Sequence, residues 1–333
     1  MWVPNLPVTI MTGVCAGAGV LCLFKDMYGG PAYERNVKAD DKTVIVTGAT
    51  SGIGQEAAWG FANRGAKVFM ACRDMKKCEE VRREIVLETG NKYVYCRPCD
   101  LASTASVRDF VARFKCEEPY VHVLVNNAAE METPRGVTRD GFETQLGVNH
   151  LGHFLLTNLL LDTLKASAPS RVVQVTCSAY AKGRLHQDDL NLSGQYDGRA
   201  AYCQSKLANV LFAQDLGRRL LDTQVAVVTV DPGFTDTALT RHLPLARSVW
   251  RYPVHALYWP VMKTARTGAQ SVLHAALDPA AANAKGDLFV DMKPAEIQGA
   301  GKDMELALWL WRVSERWTRL DEQRAAVARA VAA

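Results

Sequence analysis

Thr47-Gly48-Ala49-Thr50-Ser51-Gly52-Ile53-Gly54 closes a β-branched run, Thr43 to Thr47, and leads into a segment with helical apolar spacing, Gln55 to Asn63. Glycines at such a junction let the backbone come close to a pyrophosphate. The exposed N–H groups and positive end of the following helix favour its charge. The spacing is G-x-x-x-G-x-G and the position is the one the mechanism requires, so the turn reads as a dinucleotide site rather than a mere tight turn. Gly48, Thr50, Ser51, Gly52, Ile53 and Gly54 are its candidate cofactor contacts.

Outward from this turn a regular alternation begins. Further β-branched runs stand at Lys67 to Ala71, Tyr93 to Cys96, Val121 to Val125, Arg171 to Thr176, Val225 to Val230 and Asp287 to Val290. Stretches of helical spacing lie between most of them, such as Lys76 to Glu88 ending at Gly90. This pattern predicts an α/β fold, a Rossmann-type doubly wound parallel sheet covered on both faces. One domain is expected over 42–300, with no second domain and no repeat, and a helical tail over 301–333 that packs on it. Alternation alone leaves function open.

Composition excludes some classes. The chain has 333 residues, a net charge of +4 and 22% charged residues, with no basic run interleaved with aromatics. Nucleic acid is therefore not an expected partner. The count of nine cysteines is odd in a chain too long to need disulfide staples, so reduced thiols are the expectation. Cys96 and Cys99 form a C-x-x-C without a second pair or a histidine cluster, and no metal site is predicted.

The amino terminus is distinct. No charged side chain occurs from Met1 to Phe24, and Val8 to Phe24 is almost wholly apolar or small. That length is marginal for crossing ~30 Å of hydrocarbon, and a cleaved signal would carry a basic start that is missing here. Residues 1–28 are read as a membrane anchor and 29–41 as a linker. The basic residues Lys25, Arg35, Lys38 and Lys42 all follow the segment and favour a large domain on the side of synthesis.

Two further groups point to chemistry. Arg73, at the end of the second strand in Ala71-Cys72-Arg73-Asp74, can hold a ribose 2′-phosphate with a planar fork and so favours NADP(H). Asp74 would favour NAD if the register moved by one. Asp100-Leu101 after the third strand is placed to contact adenine, although Asp100 could instead cap the helix beginning near Ser103. Tyr202-Cys203-Gln204-Ser205-Lys206 opens a helical segment, and four-residue spacing sets phenol and ammonium a turn apart on one face. A nearby cation favours the phenolate of a group whose reference pKa is ~10.

Together these pieces resemble the short-chain dehydrogenase/reductase family. The motifs are T-G-x-x-x-G-x-G at Thr47, D-L at Asp100, N-N-A at Asn126, N-H at Asn149, Y-x-x-x-K at Tyr202 and P-G at Pro232. Val148 to Thr157, Ala201 to Leu207 and Ala71 to Asp74 are similar to the retinol dehydrogenase subgroup. The resemblance implies that Tyr202 is the general acid/base and that Lys206 binds the nicotinamide ribose and lowers the Tyr202 pKa. It implies that Asn149 holds a helix bend and a water beside Lys206. Asn127 and Ala128 would line the cofactor, and Pro232, Gly233 and Thr237 would meet the carboxamide. It further implies reduction of retinal or another lipophilic carbonyl by NADPH. The expected setting is the inner mitochondrial membrane, with the endoplasmic reticulum next.

Two positions depart from the family pattern. Ala129 replaces a glycine after Asn-Asn-Ala and puts a methyl near the cofactor. At Val175-Thr176-Cys177-Ser178 the resemblance implies a serine pair whose second member donates to the substrate oxygen. Matching the strand puts Cys177 on that position, and a thiol donates weakly. Losing such a donor costs roughly 10²- to 10³-fold. A one-residue shift that brings Ser178 into the site is the expectation, with a slow enzyme or an NADP-binding pseudoenzyme as the alternatives. Between Thr237 and Thr264, apolar and aromatic residues such as Trp250, Tyr252 and Trp259 suit a lid over a lipophilic substrate or a dimer contact.

Overall fold

The computed structural model describes residues 30, 32, 33, 35, 37–242 and 262–320. The anchor (1–28), most of the predicted lid (243–261) and the end of the tail (321–333) lie outside the described residues. Among the described residues, no helix is long and apolar enough to cross a membrane.

Eight strands form one sheet in the order β3-β2-β1-β4-β5-β6-β7-β8. They are β1 (Thr43–Thr47), β2 (Lys67–Cys72), β3 (Val94–Pro98), β4 (Val123–Asn126), β5 (Ser170–Val175), β6 (Val225–Asp231), β7 (Lys285–Val290) and β8 (Lys293–Ala295). All pairings are parallel except β7 with β8. The sequence pattern does not announce β8. Its three residues include Pro294, which an edge strand tolerates.

The helices are α1 (Gly52–Ala62), α2 (Met75–Thr89), α3 (Thr104–Glu117), α4 (Gly152–Ala166), α5 (Gly198–Arg219), α6 (Ala265–Leu277) and α7 (Met304–Trp317). Every residue of β1 is buried, because alternate side chains enter opposite layers. Val44 and Val46 pack with Phe61, Met70 and Leu273 on one face. Ile45 packs with Phe69, Leu124, Phe154 and Phe212 on the other. The tail helix α7 joins this second layer: the Trp311 ring sits edge-on to Phe154 at 5.0 Å.

One expectation from composition fails. Cys78 of α2 and Cys96 of β3 form a disulfide, with Cα atoms 6.0 Å apart. The two are 18 residues apart in the chain and meet only because α2 packs over β3. Cys99 of the C-x-x-C is free and buried, as are Cys72 and Cys203, while Cys116 is exposed.

β1 lies between β2 and β4, so the connections leave it in opposite directions. A crevice opens there at the carboxyl ends of the strands.

Candidate active site

The glycine turn is shaped by what lies behind it. Gly48 has φ +65°, and a Cβ there would stand 2.8 Å from the Ala128 Cα. A Cβ on Gly54 would fall 2.4 Å from both Asn127 Nδ2 and the Gly48 carbonyl oxygen. Gly54 therefore seals the turn against the loop after β4 rather than facing the crevice. Thr47 Oγ1 accepts the N–H groups of Asn127 (2.9 Å) and Ala128 (3.0 Å), locking that loop to β1. The same hydroxyl lies 2.8 Å from His153 Nε2, while His153 Nδ1 lies 2.9 Å from the Asn149 carbonyl. Nδ1 can only donate to a carbonyl, so in the neutral ring Nε2 accepts from Thr47. Complete burial holds His153 neutral, with its pKa lowered to about 4.

α1 presents its N-terminus to this turn without a side-chain cap on Ser51. In contrast, α2, α3, α5, α6 and α7 are capped by Asp74, Ser103, Asp197, Thr264 and Asp303. On the open side, a Cβ on Gly52 would stand 3.0 Å from Thr237 Cγ2 across the cleft, and this space beside uncapped N–H groups fits a pyrophosphate. This supports the nicotinamide dinucleotide expected from the sequence.

The adenosine end carries Arg73, Asp74 and Asp100. Asp74 borders the crevice beside Arg73, and its carboxylate caps α2 by accepting from Lys77 N at 3.1 Å. Arg73 is two-thirds exposed at the crevice and lies 3.8 Å from Glu130, which also pairs with Arg241. The expected alternative of Asp100 as a helix cap is not adopted: Ser103 caps α3, while Asp100 Oδ1 accepts from Ala102 N at 3.1 Å.

At the other end α5 carries Tyr202 and Lys206. Tyr202 Oη lies 3.3 Å from Cys177 Sγ. Lys206 Nζ is 5.7 Å from the Tyr202 ring centre and makes one long contact, 3.4 Å, with the Val175 carbonyl. The expected shift that would bring Ser178 to the phenol does not occur. β5 ends so that Cys177 faces Tyr202, and Ser178, which also borders the cleft, starts a 3-10 turn, Ser178–Lys182.

The Tyr202 pKa is raised, first by burial and then by Cys177 and Asp231. Burial lowers that of Lys206 against the pull of Cys177 and Asp231. Desolvation thus works against both charged forms, opposite in direction to the lowering of the phenol expected from Lys206.

Asn149 sits in a single π turn, Gly147–Leu151, just before α4. Its side chain pairs with both backbone groups of Glu130, each at 2.8 Å, and with Ser205 Oγ at 2.9 Å. It therefore braces the cofactor loop against α5. Asp231, at the end of β6, accepts from Gly233 N at 2.8 Å and from the Ser178 N–H, joining the two loops at the carbonyl end. Asn149 was assigned a role from the sequence; Thr47 and His153 stood inside quoted motifs without one, and Glu130 and Asp231 were not singled out. Only the one-turn spacing of Asn149 and His153 could have suggested a partner.

A cleft of about 620 Å³ brings these groups together. Gly48, Thr50, Ser51, Gly52, Ile53, Arg73, Asp100, Leu101, Asn127, Ala128, Pro232, Gly233 and Thr237 line it at the cofactor end. Cys177, Ser178, Tyr202 and Lys206 line the carbonyl end. Of the residues named from sequence, Gly54 and Asn149 support the cleft without lining it.

Comparisons with known proteins agree with this geometry. Residues 42–247 match the family model described as short chain dehydrogenase. The chain is 43% identical to human retinol dehydrogenase 13 over 95% of both proteins. It is 44% identical to human retinol dehydrogenase 12 over 87% of this chain and 90% of that one. A crystal structure of an uncharacterised protein from Mycobacterium paratuberculosis superposes with TM-score 0.70 at 34% identity, covering 87% of this chain and 98% of that one. A Pseudomonas aeruginosa RhlG/NADP complex, 23% identical with TM-score 0.60 over 76% of this chain and 95% of its own, shares the fold. The chain belongs to the short-chain dehydrogenase/reductase family and is an oxidoreductase that uses a nicotinamide cofactor.

Proposed function

We propose that this oxidoreductase reduces a lipophilic carbonyl with NADPH, retinal to retinol being the leading reaction. The observation that carries the reading is the convergence of Tyr202 Oη, Cys177 Sγ and Lys206 in one cleft with the glycine cradle. A nicotinamide cofactor held on that cradle supplies the hydride. Tyr202 Oη donates a proton to the carbonyl oxygen, and Lys206 balances the charge left on the phenol. Cys177 Sγ, beside Tyr202, is the second donor facing that oxygen. Asn149 and Thr47 keep the loop at Asn127 to Glu130 in place, so that the two reactants meet at high effective concentration.

NADPH over NADH is supported by Arg73 at the crevice and by the engagement of Asp74 as a helix cap. A lipophilic substrate is supported by the names of the relatives, which are retinol dehydrogenases, and by the apolar amino-terminal stretch. That stretch also favours a membrane setting, and the family resemblance favours the inner mitochondrial membrane before the endoplasmic reticulum. A second reading, an NADP-binding protein with weak or lost turnover, is favoured by the thiol where the family resemblance implies a hydroxyl.

The test is NADPH oxidation by the purified chain with all-trans-retinal and a panel of aldehydes and ketones. Turnover that Tyr202→Phe abolishes while cofactor affinity holds supports the reductase. No turnover with any carbonyl supports the second reading.

A further inference from the structure

The mechanism gives Cys177 only the part of a donor, yet it places a sulfur nucleophile where a carbonyl must dock. Sγ lies 3.3 Å from the phenol that hydrogen-bonds the substrate oxygen. A second feature of the same wall points to a ligand. Lys206 is 3% exposed, and its ammonium has one long contact with a backbone carbonyl while lining the cleft. A buried cation so sparsely partnered is suited to a negatively charged oxygen.

In an α,β-unsaturated carbonyl, the β-carbon lies two bonds beyond the carbonyl carbon. An enal bound with its oxygen at Tyr202 keeps its β-carbon within a few bonds of the phenol, and rotation about that hydrogen bond can present this carbon to the adjacent Cys177 sulfur. A serine at this position would be a poor nucleophile for that carbon, whereas sulfur is a good one.

We infer that Cys177 is a covalent modification site for α,β-unsaturated aldehydes, which add to its sulfur at the β-carbon from the carbonyl-binding position. This rests on the reading of the cleft as a carbonyl site. The Cys177 sulfur forms a bond to the β-carbon, and the C=C pair shifts through the α-carbon onto the carbonyl oxygen. That oxygen takes the Tyr202 proton, and the thiol proton replaces it on the phenol. The enol then moves its proton to the α-carbon and becomes a saturated thioether aldehyde. No oxidant or reductant is needed. A conjugated aldehyde thus has two fates in one site, hydride reduction at the carbonyl carbon or capture by sulfur.

Full-length protein incubated with trans-2-nonenal, without cofactor, and read by peptide mass spectrometry tests this. Tryptic cleavage after Arg171 and Lys182 separates Cys177 from Cys203, and exposed Cys116 reports intrinsic thiol reactivity. Cys177 is expected to gain one enal mass on the order of 10-fold faster than Cys116, because positioning raises the effective concentration of the β-carbon. Excess nonanal, the saturated aldehyde, should slow labelling at Cys177 and not at Cys116.

Labelling of Cys177 no faster than Cys116, or insensitive to nonanal, overturns the inference. NADPH oxidation with nonanal tests the reductase separately. Turnover without preferred labelling sinks only the present inference, and preferred labelling without turnover supports it while counting against the reductase.

Discussion

On the proposed reading, Cys177 would set the strength of the site, because a thiol polarises a carbonyl less than a hydroxyl does. Replacing it by the serine of the family pattern should raise kcat/KM for a carbonyl substrate by roughly 10-fold or more, within the range by which such donors act. The measurement is steady-state NADPH oxidation, and an unchanged or lower value for Cys177→Ser would show that the thiol is not the limiting donor. At the opposite end, Arg73 is two-thirds exposed and faces Glu130. Arg73→Ala should weaken NADPH binding by roughly 10-fold while changing NADH little, since only the former carries the phosphate that the fork can hold. Equal losses in a titration of both cofactors would remove Arg73 from the phosphate site. Tyr202, Lys206 and Arg73 were legible in the sequence because each stands in a local motif. Glu130 and Asp231 were not, since their roles arise where separate loops meet. Matching the strand put Cys177 opposite the phenol, as the structure has it, and the shift towards Ser178 was not legible either way because one residue of strand twist decides which side chain faces Tyr202.

Element by element, the strands were the most readable part. β-branched runs announced β1 to β7 to within a few residues, and only the short edge strand β8 carried too little pattern to be seen. A bend at Asn149 was implied by the family resemblance, but its form as a π turn, Gly147–Leu151, was not legible. It is held open by side-chain bonds from Asn149 to a loop distant in sequence, and spacing alone does not report such bonds. The Cys78–Cys96 bridge was equally hidden, because it depends on how α2 lies over β3. The helix that carries Tyr202 and Lys206 is itself constrained far from the cleft. A Cβ on Gly217, near the end of α5, would fall 2.0 Å from the Lys285 carbonyl oxygen of β7. Gly217→Ala would gain about 1 kcal/mol in helix propensity. The clash is with backbone that cannot yield cheaply, and overpacking of this kind costs about 1–3 kcal/mol. We expect net destabilisation, read as a lower denaturation midpoint, together with reduced kcat as α5 shifts Tyr202. A variant at least as stable as the parent would show that α5 does not need this close approach.

For the whole molecule, two neutral histidines buried behind the cleft link stability to pH. His150 and His153 are completely buried, with pKa values lowered to about 3 and about 4, chiefly by desolvation. His150 Nε2 bonds Ser314 Oγ of α7 at 2.8 Å, and His153 bonds Thr47 at 2.8 Å, so the pair ties the tail helix and β1 to the π turn. Both folded values lie below the reference value of ~6.5 for an unfolded histidine. Their contribution is therefore fully present above about pH 6.5, where neither state binds the proton. As pH falls from there towards 4 the unfolded chain takes up protons that the folded one refuses. Stability then drops by up to about 1.4 kcal/mol per pH unit for each ring. Asp231 and Glu143, whose pKa values burial raises, act in the opposite direction because the folded state protonates first. The histidine share is isolated by comparing the parent with His150→Gln, which keeps a polar group for Ser314 and removes one titration. Melting temperatures measured from pH 7 to pH 4.5 should fall more steeply for the parent than for the variant. Parallel curves would mean that His150 is protonated as easily in the fold as out of it, and that its burial does not set the acid limit of the molecule.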